Sequence, residues 1–140
     1  MKKLSKVLAV LLIAVFLSTA LVACSPNSNP DKAKAGLEKA GYSTTKFSDA
    51  LSLTVTETAL GCQRGDIIAI VSGTKTNDDK SVDTVTIIYF KDATAAKNCW
   101  DKAKPYLEKE EKKDTESDII VKRSGKMIYA GTKAAIDAAK

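Results

Sequence analysis

Two apolar runs joined by a charged turn constrain this chain more than any other feature. "DIIAIVSG" (66–73) is nearly uniformly apolar, which suggests a central strand. "TNDDKS" (76–81) follows, and "VDTVTIIYF" (82–90) returns with β-branched and aromatic residues. Runs of this kind bounded by turn residues read as the two strands of a hairpin. Three further segments add to the sheet. "LSLTVTET" (51–58) alternates Leu51, Leu53 and Val55 with Ser52, Thr54 and Thr56, the period of a half-buried strand. A shorter strand around Ser43–Phe47 is an option that the predicted order does not count. In "DIIVKRSGKMIYAG" (118–131), Ile119 and Val121 alternate, as do Ile128 and Ala130, with Ser124-Gly125 as the tight turn.

Helical periods separate these runs. Asn29 or Asp31 can cap a first helix, Pro30 suits its first turn and Gly41 its end. Ala33, Gly36, Leu37 and Ala40 give it one narrow apolar face. A second helix starts at Asp92. Ala93, Ala96, Trp100, Ala103 and Leu107 mark its face, Pro105 predicts a kink, and "EKEEKK" reads as solvated charge. Thr132 caps a short last helix with Ala135, Ile136 and Ala139 on one side. The predicted order is α-β-β-β-α-β-β-α. That is an α+β domain with a single antiparallel sheet and helices packed mainly on one face. The helix-then-hairpin order occurs twice, but no residue-level repeat accompanies it.

The start of the chain has a different composition. Lys2, Lys3 and Lys6 precede an apolar stretch, Val7–Ala23, and residues 1–23 contain no acid. A cationic head before an apolar core is the pattern of a helical secretory signal peptide. Seventeen residues would span about 25 Å as a helix, the short limit for crossing a bilayer, and no basic stop-transfer cluster follows. At its end stands "LVAC". Leu21, Val22, Ala23 and Cys24 resemble the bacterial lipobox: an aliphatic residue, two smaller ones and a cysteine. The resemblance covers the first 24 residues and identifies the chain as a bacterial lipoprotein precursor. It implies a diacylglycerol on the Cys24 sulfur and cleavage between Ala23 and Cys24. It also implies a mature protein held by acyl chains at the cell membrane or outer membrane, facing outside the cytoplasm. Two acyl chains hold where one is marginal. The implied organisation is 1–23 signal peptide, 24–30 lipidated cysteine and flexible tether ("SPNSNP" after Cys24), and 31–140 a single small domain.

The formal charge of +5 overstates the basicity of that domain. Without the three leader lysines, 19 basic residues face 17 acidic ones. Nucleic-acid binding, which needs clustered Lys and Arg, is not expected. The sequence has no histidine, so Ser-His-Asp and Cys-His catalysis and His-ligated zinc are excluded. Asp78-Asp79 and Glu110-Glu111 lie in charged runs and read as solvated. No stretch matches a P-loop or dinucleotide fingerprint, so no catalytic, cofactor or metal residues are expected.

With Cys24 lipidated, Cys62 and Cys99 remain outside the cytoplasm, where disulfides persist. They are a candidate disulfide pair; separate buried thiols, or a redox or metal role, are the alternatives. "RGD" (64–66) matches an adhesive tripeptide but reads as a polar turn. Trp100, Tyr89, Tyr106, Tyr129 and Phe90 could line a pocket, although most fall on faces the core needs. Three functions follow in order. The first is a non-catalytic binding or envelope-accessory domain with an envelope protein as partner. The second is a solute-binding lipoprotein with a pocket between sheet and helices, and the third a thiol-active envelope enzyme.

Overall fold

The structure, a computed structural model, describes residues 25–140. The expected signal peptide, its Ala23–Cys24 cleavage point and the lipidation at Cys24 lie outside the described residues. In chain order the elements are α1 (Pro30–Lys39), β1 (Ser43–Phe47), α2 (Ala50–Leu60), β2 (Ile67–Thr76) and β3 (Val82–Phe90). Then come α3 (Ala93–Asp114), β4 (Ile120–Ser124), β5 (Met127–Gly131) and α4 (Lys133–Ala138). The five strands form one antiparallel sheet in the order β1-β2-β3-β5-β4. An α+β domain with one antiparallel sheet is therefore what these residues form.

The helices cover both faces of the sheet, not mainly one. Val85, Ile87 and Tyr89 of β3 pack with Leu37 of α1 and Ile136 of α4. Ile88 and Phe90, their neighbours of opposite parity, pack with Leu60 of α2 and with Cys99, Ala103 and Leu107 of α3. The physical reason lies in β3 and β5. All five residues of β5 are buried, and so are six of the last seven of β3. A strand apolar on both sides needs cover on both sides. Gly131 is required where β5 meets β3: a Cβ there would lie 2.5 Å from the Thr84 carbonyl oxygen.

The second correction is at 51–58, which is helix α2 and not a strand. Asp49 caps it, accepting from the Ser52 amide at 2.9 Å. Gly61, at φ 67°, ends it in the left-handed conformation. The hydroxyls of Thr56 and Thr58 donate to the carbonyls one turn back, so a run of threonines is accommodated. Leu53, Glu57 and Leu60 turn inward at helical spacing, while Leu51 and Val55 face outward. The strand-like alternation lost to capping and to the sheet surface below. The first of the three strands before α3 is β1 instead.

α1 begins at Asn29, whose side chain accepts from the Asp31 and Lys32 amides. α3 begins at Asp92, which accepts from the Ala95 amide at 2.7 Å, and runs through Pro105 as one element. Within the segment 24–30 that the sequence reads as a flexible tether, residues 25–27 lie against the domain, while Ser28 and Asn29 are exposed. Pro26 is buried. The Asn27 amide donates to the Ala139 carbonyl at 2.7 Å, and the Asn27 carbonyl accepts from the Tyr89 hydroxyl at 2.8 Å. Burial raises the pKa of that phenol. No helix among the described residues is long and apolar enough to cross a membrane.

Candidate functional site

On the α2–α3 face the two helices do not close completely over the sheet. They leave a cleft of about 220 Å³. Its floor is Ile70 of β2 with Thr86 and Ile88 of β3. Thr56 and Leu60 of α2 form one wall, Leu107 and Glu111 of α3 the other. Phe47 and Tyr106 stand at the mouth, 37% and 41% exposed. An apolar cleft with few convergent polar groups is the usual form of a binding site. A hollow of about 700 Å³ between the β2–β3 turn and the end of α3 is larger. Its lining, Asp79, Lys80, Lys112, Lys113, Asp114 and Glu116 among others, is mainly charged.

Glu111 gives the cleft its chemistry. Its neighbour Glu110 pairs with Lys113 at 2.6 Å, whereas Glu111 is 5% exposed and points at the sheet. Its carboxyl accepts from the Thr84 hydroxyl at 2.9 Å. Burial pushes its pKa up, against the hydrogen bonds from Thr86 and Thr84; the charges of Asp114 and Glu110 push the same way as burial. The reading of Glu110-Glu111 as solvated charge therefore holds for one of the two. The missed signal is the spacing: Ala96, Cys99, Ala103, Leu107 and Glu111 continue one buried stripe of α3.

The structure joins Cys62 and Cys99 in a disulfide, with the Cα atoms 5.3 Å apart. It ties the loop after α2 to α3 beside the cleft's Leu60. The buried Glu57 carboxyl holds the same loop, accepting from the Gly65 and Ile67 amides at 2.8 and 2.9 Å. Within "RGD", Asp66 is buried and paired with Lys91 at 2.9 Å. The tripeptide is thus a turn with Arg64 and Gly65 exposed and Asp66 folded inward. Of the aromatic candidates, only Tyr106 lines the cleft. Tyr89, Phe90 and Tyr129 are in the core, and Trp100 lies outside the cleft under the Lys104 ammonium, 5.9 Å from the ring centroid. Among the described residues no group of His, Cys, Asp and Glu side chains could hold a metal ion.

Comparison of the chain with protein-family models, curated proteins and solved structures found no match.

Proposed function

We propose that this chain is a lipid-anchored extracytoplasmic binding protein without catalytic activity. Cys24 holds it to the membrane, and the cleft between α2 and α3 receives an apolar group from an envelope partner. The observation that carries the binding role is the open apolar cleft with the buried Glu111 carboxyl in its wall. A side chain of a partner protein matches the volume, and a hydroxyl or amine on it would meet Glu111. The anchor rests on "LVAC", and the absence of histidine from the sequence supports a non-catalytic role. A photo-crosslinking amino acid at Tyr106, activated in intact membranes, tests the site: a protein adduct is the expected product. A second reading, solute binding, is favoured by the apolar floor of the cleft, Ile70 and Ile88, between sheet and helices. It predicts a small-molecule adduct instead, seen by native mass spectrometry of the purified protein. Replacing Cys24 by Ala should move the protein from the membrane fraction to the soluble one; retention in the membrane would refute the anchor.

A further inference from the structure

The first described residues after Cys24 are held at one end of the sheet. Pro26 is buried and Asn27 is bonded to both Tyr89 and Ala139. Ser25 reaches Ser124, in the β4–β5 turn, at 3.4 Å between hydroxyls. One residue therefore separates Cys24 from a buried position, and consecutive Cα atoms are about 3.8 Å apart. Ser25, the residue next to Cys24 in sequence, thus lies at the β4–β5 end of the sheet.

That end has a distinct surface. The Lys126 carbonyl accepts from the Phe90 amide and the Asp66 carbonyl from the Lys91 amide, both at 2.8 Å. Two loops, 61–66 and 91–92, are thus joined to the end of the β4–β5 hairpin, residues 122–126. Together they carry five basic residues, Arg64, Lys91, Lys122, Arg123 and Lys126, against two acids. Both acids are already engaged, Asp66 with Lys91 and Asp92 as the cap of α3. Arg64, Lys122, Arg123 and Lys126 are exposed and, among the described residues, held in no ion pair. Ile68, 52% exposed at a β-bulge where β2 runs past the end of β1, adds an apolar side chain nearby. The opposite end, segments 78–80 and 112–118, reverses the balance with three basic residues against five acids. The nine residues of β3 separate the two ends by about 26 Å.

We propose that the basic end, formed by the 61–66 and 91–92 loops and the 122–126 end of the β4–β5 hairpin, rests on the anionic phospholipid headgroups of the membrane that holds Cys24. The acidic end points away. Juxtamembrane Lys and Arg are drawn to anionic leaflets, each shifting the balance about fivefold. The short link leaves the domain no room to leave that field, which extends about 8 Å at physiological salt. The Thr84–Glu111 side of the cleft then stands about 20 Å from the membrane-facing end, within reach of envelope partners. This orientation rests on the lipidation of Cys24.

The test uses the full chain, matured in a lipoprotein-processing bacterium and reconstituted into vesicles. One set contains phosphatidylcholine alone, the other phosphatidylglycerol as well. Flotation reports anchoring, and labelling by a membrane-impermeant amine reagent, read by mass spectrometry, reports orientation. The protein should float with both sets. Lys126 should label about fivefold or more slowly on the anionic vesicles, with Lys80 and Lys112 unchanged. Salt at about 0.5 M should abolish the difference without releasing the protein. The double variant R123E/K126E should float yet lose the protection, read at Lys122. Flotation with equal labelling of Lys126 on both vesicle types overturns the orientation and leaves the anchor standing. Failure to float overturns the anchor, and the orientation with it.

Discussion

Glu111 is the residue on which the candidate site turns. Its native pKa lies above the ordinary value because burial disfavours the carboxylate. The folded chain thus binds that proton more tightly than the unfolded chain. The sign follows: this group favours folding least above its native pKa, and the penalty disappears as pH falls below its unfolded value. Glu111→Gln keeps an acceptor for Thr84 and removes the charge. It should raise the melting temperature at neutral pH, and the gain should vanish at pH values below the usual carboxylate range. A gain unchanged by pH would separate Glu111 from this account. Gly131 makes a different prediction. A methyl group there meets β3 backbone, so Gly131→Ala should cost about 1–3 kcal/mol in denaturant unfolding. Neither role was legible from composition. Glu111 sits in a run of charges, and only the continuation of the α3 stripe by four residues from Leu107 marks it as buried. The close approach at Gly131 depends on how β5 and β3 pair across forty-odd residues of intervening chain, which no local pattern reports.

At the scale of elements, α2 is where local pattern and structure part. A strand over 51–58 would put Leu51, Leu53 and Val55 on one face. The helix turns Leu53, half-buried, against the core and leaves Leu51 and Val55 76% and 62% exposed. Leu51→Ala should therefore change stability by no more than ~0.5 kcal/mol, and Leu53→Ala should cost about 2 kcal/mol. Equal costs at the two positions would favour the strand. Asp49→Ala should cost about 1 kcal/mol through the lost cap. The caps at Asp49 and Gly61 were visible in the sequence, but β-branched residues at every other position masked them. α1, α3 and the two hairpins were legible because capping, period and turn chemistry agree there. Asn29, Asp92 and the Ser124-Gly125 turn each act where the sequence places them. The two-sided burial of β3 was present in "TIIYF" as an uninterrupted apolar run. Such a run does not say which helices cover it, and the order of helices after hairpins alone suggests cover on one face.

At the scale of the whole molecule, the two faces of the sheet are held differently. On one, α1 and α4 meet closely over the core, and residues 25–27 close against their side of it. On the other, α2 rests on the sheet beside an open cleft, with its outer face apolar and exposed. The Cys62–Cys99 bond is the covalent link between that face's two helices, closing a loop with a sequence separation of 37. In the chain-entropy account such a loop contributes roughly 3–4 kcal/mol. The Cys62→Ala/Cys99→Ala variant should lose about that much in global stability. The loss should also be uneven. α2 has few buried side chains of its own, so local opening of α2 and the 61–66 loop should become easier before the sheet yields. Hydrogen exchange tests both parts. Amides of α2 and the Glu57-bonded Gly65 and Ile67 should exchange faster in the variant at low denaturant. Those of β3, covered on both sides, should follow only the global change. Uniform acceleration would mean that the bond stabilises the fold as a whole and does not hold the cleft's wall in place. If α2 alone loosens, the cleft exists in its present shape only where the disulfide can persist, which is outside the cytoplasm.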